Sequence, residues 1–187
     1  MTTAPRARMT ADDFVAWAMT RPEGERYELV AGEIVAMSPE RAGHNEGKFA
    51  VAVALRDAVR RRKLPCWIYI DRMAVRIDGN TVYEPDVLVR CGDRLDPDAV
   101  EVIDPVVLVE VISPGTHKVD THQKLGDYFR LPSVRHYLIV NTKRRSVVHH
   151  ARGEEGEVRT RIVTSGTLEL EPPGLALELE TLFADET

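Results

Sequence analysis

The sequence lacks a hydrophobic run long enough to cross a membrane. In a chain of 187 residues, the longest apolar run extends from Phe49 to Leu55, whereas a bilayer-spanning helix needs about 20 such residues. No basic segment precedes an apolar stretch at the N-terminus, which argues against a secretory signal. We therefore expect a cytoplasmic protein that makes no membrane contact.

Cysteine is scarce as well. The two cysteines, Cys66 and Cys91, do not have the paired spacing of a zinc site or a redox motif, and two residues cannot make a disulfide framework. We expect two reduced thiols, as is usual in the cytoplasm.

Basic residues do not dominate the charge. The chain has 25 Lys and Arg against 30 Asp and Glu, a formal net charge of -5. This argues against constitutive tight binding to nucleic acid, because non-specific binding depends on basic side chains that release counterions. It leaves room for an enzyme that acts on nucleic acid through a local basic surface or a bound metal ion.

The composition is that of a folded protein. Apolar residues make up 43% of the chain and charged residues 29%, which is too apolar for a disordered chain. The length fits one domain, which we place at residues 10–183, after a flexible tail at residues 1–9.

Hydrophobic periodicity and turn residues divide the chain into helices and strands. Helices are predicted at residues 10–19, 44–63 and 120–131, a hairpin at 27–37, strands at 66–77, 81–90, 106–112 and 136–140, and antiparallel strands from 146 to 183. This order predicts an α/β fold with one mixed β-sheet flanked by helices, an N-terminal hairpin and C-terminal antiparallel strands.

One carboxylate lies inside a strongly apolar strand. Glu110 interrupts the run from Val106 to Ile112, whose β-branched residues are typical of a central strand covered on both faces. A buried carboxylate costs several kcal/mol unless it is paired, bound to a metal or placed at a cleft. The alternative is that the end of the strand is exposed and that Glu110 is merely solvated.

A second carboxylate directly follows a proline. Pro85 implies an edge, a bulge or a strand start within its segment, and Asp86 comes next. Because consecutive strands are usually neighbours in a sheet, Asp86 and Glu110 can share one metal ion. Without a cation the two carboxylates would repel each other and the pKa of one would rise. Oxygen ligands alone favour magnesium, manganese or calcium.

A lysine on the following helix allows two interpretations. Asp120, Lys124 and Tyr128 share one helical face. Lys124 either forms a surface ion pair with Asp120, or it points into the cleft of the two carboxylates. In the cleft it could orient a water molecule and offset phosphate charge.

These residues are similar to the PD-(D/E)XK nuclease signature. Asp86 follows Glu84-Pro85, and Glu110 is followed by a hydrophobic residue, but Ile112 stands where the signature has its lysine. The sequence resembles the subfamily in which that lysine lies on the next helix. It is identified as a member of the Uma-two family of restriction-endonuclease-like proteins by two groups of residues. The first comprises Glu110-Val111-Ile112-Ser113-Pro114, Thr116, Asp120, Lys124, Tyr128, Val134 and Tyr137, and the second Tyr27-Glu28-Leu29, Gly32-Glu33, Ser38-Pro39 and His44.

The resemblance implies a restriction-endonuclease-like fold and metal-dependent hydrolysis of DNA phosphodiesters. Asp86, Glu110 and the backbone carbonyl of Val111 would bind Mg²⁺, with Mn²⁺ as a possible substitute. Lys124 would position the attacking water and stabilise the developing charge. Glu28 matches a further acidic residue of the family, as either a second ligand or an outer base.

Contacts to the nucleic acid are predicted at two places, each with an alternative. His44 could donate a hydrogen bond to a phosphate or a carboxylate, or it could be a packing residue or a contact at the helix N-terminus. Arg60, Arg61 and Arg62 could follow a phosphate backbone, or they could form a solvated helix end that the helix dipole favours.

Three functions remain open from the sequence. The first is a magnesium-dependent DNA endonuclease that acts as a homodimer. The second is a catalytically inactive nucleic-acid-binding module of the same fold, and the third is a structural homodimer that acts through protein partners.

Overall fold

The computed structural model describes residues 8–112 and 121–183. Its α-helices are α1 (Ala11–Ala18), α2 (Ala42–Arg62) and α3 (Thr121–Tyr128), and a 3-10 helix spans Leu179–Leu182. Its strands are β1 (Tyr27–Val30), β2 (Glu33–Ala36), β3 (Cys66–Ile70), β4 (Val75–Asp78), β5 (Thr81–Tyr83), β6 (Val87–Cys91), β7 (Pro105–Ile112), β8 (His136–Asn141), β9 (Ser146–Arg152), β10 (Val158–Val163), β11 (Thr167–Leu170) and β12 (Leu175–Glu178). The mixed α/β class predicted from the sequence is therefore confirmed.

A six-stranded mixed sheet forms the centre of the structure. Its strand order is β10-β9-β8-β7-β6-β3, with β7 and β8 parallel and the other neighbours antiparallel. The parallel pair lies in the middle, where both faces are covered, as parallel strands require. The predicted N-terminal hairpin is present as β1 and β2, and the predicted C-terminal antiparallel strands are β9 to β12.

The prediction of one sheet was wrong, because two segments assigned to single strands each break in the middle. Asp71 and Arg72 adopt left-handed backbone conformations between β3 and β4, and Pro85 separates β5 from β6. Each broken segment gives one strand to the six-stranded sheet and one to a four-stranded sheet with the order β2-β1-β5-β4. The strands β11 and β12 form a separate hairpin.

Helix α2 covers one face of the six-stranded sheet. Val51 and Leu55 of α2 share a core with Val109 and Val111 of β7 and with the β11–β12 hairpin. The opposite face of β7 packs Leu108 into a second core with three buried tyrosines, Tyr83, Tyr128 and Tyr137. Strand β7 is thus covered on both faces, as its apolar sequence predicts.

The expectation of two reduced thiols was wrong, because Cys66 and Cys91 form a disulfide. The register of β3 and β6 places the two residues directly opposite each other. Their separation of 25 residues carries no sign of this pairing, which depends on how the two strands align.

The first helix begins where the sequence predicts. The Thr10 hydroxyl accepts a hydrogen bond from the backbone N–H of Asp13 at 3.2 Å and donates one to its carboxylate at 2.7 Å, which satisfies a terminal donor of α1. The predicted start of α3 at Asp120 lies outside the described residues. Within residues 8–112 and 121–183, none of the helices has the length and apolar character needed to cross a bilayer.

Candidate active site

The register of β6 and β7 brings the two predicted carboxylates together. Val87 pairs with Val109, so the next position along this antiparallel pair sets Asp86 beside Glu110. Strand β6 begins at Val87, so Asp86 lies just before it. There the Oδ2 atom of Asp86 accepts a hydrogen bond from the backbone N–H of Val111 at 2.7 Å. The Asp86 carboxylate is therefore buried at the end of β6, with a fixed orientation.

Glu110 is buried and paired rather than solvated. It is 2% exposed, and its Oε1 accepts hydrogen bonds from Lys124 Nζ at 2.9 Å and from the Tyr128 hydroxyl at 3.0 Å. Both donors come from α3, where they stand one turn apart on the same face. The interpretation of Glu110 as a solvated strand end was wrong.

Lys124 points inward and joins two carboxylates. Lys124 is 3% exposed, and its ammonium also donates to Glu28 Oε1 at 2.7 Å, so a surface position for Lys124 is excluded. Asp120, the partner in the surface ion pair, lies outside the described residues. Glu28 comes from β1 and accepts the backbone N–H of Glu84 at 3.1 Å. Three distant segments of the chain therefore meet at one lysine.

The protonation states of Lys124 and Tyr128 depend on burial and on the carboxylates that they contact. Burial by itself would lower the pKa of Lys124, but the nearby Glu110 and Glu28 carboxylates outweigh it and raise that pKa above the ordinary value. Burial, and then Glu110, raise the pKa of Tyr128 far above its ordinary value. Lys124 is therefore a cation at neutral pH, and Tyr128 is a neutral donor.

His44 lies against Asp86. It stands in the first turn of α2 and is buried, with its Nε2 at 3.3 Å from Asp86 Oδ1. Its Nδ1 has no hydrogen-bond partner within the part of the chain that the structure describes. Of the alternatives that the sequence leaves open, the structure shows the contact with a carboxylate.

A glycine allows α2 to approach the end of β7 closely. A Cβ atom on Gly47 would lie 2.8 Å from Thr142 Cγ2 and 3.2 Å from Val111 Cγ1, and the first distance is too short for real atoms. Gly47 thus sets how near the first turns of α2, with His44, come to the carboxylates.

Sequence reasoning missed an ion-pair network beside His44. Lys48, one helical turn further on, is buried and donates to Glu40 and, at 2.6 Å, to Asp71. Arg26 contacts the same two carboxylates, at 2.5 Å and 3.3 Å, and also Glu84 at 3.2 Å. The sequence does contain one sign of this network, because Lys48 is a charged residue on the apolar face of a predicted helix.

Three potential metal-ligating atoms also group at this edge of the site. One atom each from Glu40, His44 and Asp86 lie within 4.8 Å of one another, and Glu40 Oε1 is 3.9 Å from His44 Nε2. Lys48 and Arg26 both contact this Glu40 carboxylate, so its charge is already compensated.

The basic end of α2 lies away from the carboxylates. Arg60 follows His44 by 16 residues, which corresponds to about 24 Å along a helix at about 1.5 Å per residue. Arg60, Arg61 and Arg62 are exposed. The fold therefore does not bring them to the carboxylates.

The mixed α/β fold of the chain has a close match among solved structures. A solved structure with the same fold is the "Crystal structure of a putative nuclease belonging to DUF820" from Anabaena variabilis. Its TM-score is 0.71 and its sequence identity 14%, over 94% of this chain and 98% of that one.

The sequence comparison is more specific. The family model Uma2, described as "Putative restriction endonuclease", matches residues 11–184, and the chain therefore belongs to the Uma2 family. Two similar proteins are both from Synechocystis and are both described as uncharacterized. The protein sll1609 is 25% identical over 68% of this chain and 73% of its own length. The protein slr1290 is 23% identical over 96% of this chain and 94% of its own.

Proposed function

We propose that this protein is a metal-dependent endonuclease that hydrolyses phosphodiester bonds of DNA. The observation that carries the proposal is a group of three buried carboxylates: Glu110 and Glu28 contact the ammonium of Lys124, and Asp86 lies beside Glu110 in the strand pair. Carboxylates that converge in a buried place repel each other, and a bound divalent cation would relieve this repulsion.

The donor set fits a hard divalent cation. Asp86 and Glu110 would hold Mg²⁺, or Mn²⁺ in its place, with the backbone carbonyl of Val111 as the third protein ligand, because such ions prefer oxygen atoms. When bound, the ion would polarise the phosphate and lower the pKa of a coordinated water molecule. The N–H of Val111 supports this arrangement by fixing one oxygen of Asp86.

In this proposal, Lys124 positions the attacking water molecule. The two glutamates keep it protonated, so it can donate to the water and stabilise charge that develops on the phosphate. Glu28 holds Lys124 and the N–H of Glu84 through one oxygen, which favours the outer-sphere role among the two considered for it. Tyr128 fixes Glu110 in turn.

His44 and the arginines have different proposed roles. The contact of His44 with Asp86 favours orientation of a metal ligand over a direct phosphate contact. Arg60, Arg61 and Arg62 remain proposed contacts to the phosphate backbone of a duplex that extends along α2. We also propose that the protein acts as a homodimer in the cytoplasm.

A cleavage assay tests the function directly. Purified protein is incubated with supercoiled and single-stranded DNA, with Mg²⁺, Mn²⁺ or EDTA. We expect nicking that requires the metal and is lost in Asp86→Asn and Glu110→Gln. The control Asp57→Asn removes an exposed carboxylate from α2 and should cleave like the wild type. Activity that survives both site substitutions would come from a contaminant and would refute the proposal.

The second candidate is a nucleic-acid-binding module without catalysis. It is favoured by Ile112 at the position of the signature lysine and by the ion pairs that already occupy Lys124. Binding of DNA that depends on salt but not on metal, with no cleavage under any condition above, would support this alternative.

A further inference from the structure

A cavity of about 390 Å³ opens beside the candidate active site. It lies between the end of the β1–β2 hairpin, the loop before α2 and the corner between β3 and β4. Glu40 belongs to its lining and lies 3.9 Å from His44 Nε2, which is itself 3.3 Å from Asp86 Oδ1. The cavity is thus separated from a proposed metal ligand by two side chains, and its size is within the range of small-ligand pockets.

The charges of the residues that line the cavity argue against a phosphate or a divalent cation as its ligand. Arg26 and Arg72 contribute two guanidinium groups, and Glu40 and Asp71 contribute two carboxylates, so the formal charges cancel. A phosphate would need a surplus of positive charge, and a divalent cation a surplus of negative charge. Neither surplus is present in this lining.

The remaining chemistry suits a flat, uncharged group with hydrogen-bonding edges. Met37 and Pro39 give the lining apolar surface. Arg72 is exposed, and guanidinium planes stack on nucleobases. The carboxylates of Glu40 and Asp71 are 24% and 31% exposed and can accept hydrogen bonds from the amino group of a base.

The backbone holds Arg72 in an unfavourable conformation. Asp71 and Arg72 are consecutive residues with φ values of 47° and 53°, in the left-handed region that side chains disfavour. Asp71 is anchored by Lys48 at 2.6 Å and by Arg26 at 3.3 Å. Backbone strain that the surrounding structure maintains in this way is often found where a ligand binds.

We propose that this cavity binds one unstacked base of the DNA strand whose phosphodiester lies at the candidate active site. This inference rests on the proposed function. The base stacks on Arg72 and packs against Met37 and Pro39, and its exocyclic amino group donates to Glu40 or Asp71. The substrate class is therefore DNA with an unpaired nucleotide next to the cleavage position, with cytosine favoured over thymine, which has no amino group.

An abasic scan of a DNA strand tests the pocket. Fluorescein-labelled single-stranded 12-mers of cytosine, each with one abasic position, are titrated with the protein in EDTA, where metal-dependent cleavage cannot occur. Because base stacking contributes about 1–3 kcal/mol per base, we expect one position at which base removal weakens binding roughly five- to 150-fold. Replacing the cytosine at that position by thymine should weaken binding less than removing it.

Two variants and a control connect this position to the cavity. Met37→Trp fills the cavity and should abolish the position dependence. Arg72→Ala should weaken binding of the intact strand but not of the strand lacking that base. Arg159→Ala removes an equal charge from β10, at the opposite edge of the six-stranded sheet from β3, and should leave the ratio of the two affinities unchanged.

The outcomes separate this inference from the proposed function. A flat abasic profile, a profile that both variants leave intact, or no binding of any 12-mer would refute the pocket, even if cleavage depends on Asp86. A position-dependent profile that the cavity variants remove, in a protein that cleaves nothing, would instead refute the endonuclease and leave the base pocket standing.

Discussion

At the level of single residues, the site depends on Lys124. Its ammonium contacts Glu28 at 2.7 Å and Glu110 at 2.9 Å, with all three side chains buried. A buried ion pair adds little net stability while it is intact, because desolvation of the charges offsets their attraction. Removal of one partner is costly, since the other charges then lose a compensating contact in a low-dielectric interior.

The first prediction concerns this lysine. We expect Lys124→Met to lower the free energy of unfolding by about 3–5 kcal/mol, the usual cost of breaking a buried ion pair by removing one partner. Urea unfolding monitored by circular dichroism measures the loss. The control Lys143→Met removes an exposed lysine from the turn between β8 and β9 and should change the stability by less than about 0.5 kcal/mol. Equal effects of the two substitutions would contradict the buried network.

The second prediction concerns metal binding. A divalent ion that binds only the folded protein stabilises it, by about 2.7 kcal/mol at a free concentration of 100 times Kd. We therefore expect Mn²⁺ to raise the Tm of the wild type and to leave that of Asp86→Asn unchanged, as measured by differential scanning fluorimetry. The same metal-induced increase in Asp86→Asn would place the ion elsewhere.

At the level of the secondary-structure elements, α2 determines the position of one side of the site. The helix carries His44 and Lys48 in its first two turns and packs its apolar face on the six-stranded sheet. Close contact at Gly47 sets the distance between this helix and β7, because the neighbouring Thr142 and Val111 leave no space for a Cβ atom.

The third prediction compares two glycines of α2. Alanine generally stabilises a helix relative to glycine, by up to about 1 kcal/mol, and a Cβ on Gly43 would meet nothing within 4 Å. We expect Gly43→Ala to be neutral or stabilising and Gly47→Ala to be destabilising despite the same gain in helix propensity. Thermal unfolding of both variants measures the difference. A Gly47→Ala protein as stable as Gly43→Ala would show that the helix has space to move.

The fourth prediction concerns the cross-link between β3 and β6. Closure of the chain between Cys66 and Cys91, 25 residues apart, should stabilise the fold by about 3.5 kcal/mol according to loop entropy. We expect dithiothreitol to lower the unfolding midpoint of the wild type and to leave that of a Cys66→Ser/Cys91→Ser double variant unchanged. Titration of two free thiols in the untreated, denatured protein would contradict the disulfide.

At the level of the whole molecule, a pair of buried histidines links four parts of the C-terminal half: β8, β9, β10 and the turn between β11 and β12. His136 Nδ1 lies 2.9 Å from His149 Nε2, and His136 Nε2 lies 2.8 Å from the carbonyl of Pro172. Arg161 Nε donates to His149 Nδ1 at 3.1 Å. If His149 Nε2–H donates to His136 Nδ1 and His136 Nε2–H donates to the Pro172 carbonyl, every N–H group in this series of hydrogen bonds has an acceptor. Both rings are then neutral.

The fifth prediction is the pH dependence that follows from this pair. Burial lowers the pKa of His136 to about 4 and that of His149 to about 3, against about 6.5 in the unfolded chain. Between about pH 6.5 and about pH 4 the unfolded state binds more protons than the folded state. The free energy of unfolding therefore decreases as the pH is lowered from about 6.5 to about 4. The slope is at most about 1.4 kcal/mol per pH unit for each histidine.

Urea unfolding at pH 7, 6 and 5 measures this slope. We expect the double variant His136→Asn/His149→Gln to lose less stability than the wild type between pH 7 and pH 5, whatever its stability at pH 7. An identical decrease in both proteins would assign the pH dependence to other groups.

The sequence by itself was sufficient to predict the α/β class, most elements and the two carboxylates Asp86 and Glu110, whereas Glu28 was predicted from the resemblance to the Uma2 family. Residue type and local spacing carry this information: a lone Glu110 in an apolar strand, Asp86 after a proline, and Lys124 one turn before Tyr128. The Uma2 pattern strengthened the case for Lys124, whose local sequence fits a surface ion pair equally well.

Only the tertiary structure determined which distant segments meet. The division into two large sheets, the Cys66–Cys91 bond and the network of Lys48 with Glu40 and Asp71 all join residues whose contact depends on strand register and helix placement. Local sequence encodes periodicity and turns, which are short-range properties. Pairing between strands and the approach of a helix to a sheet are chosen by the packing of the complete core, so no short segment contains them.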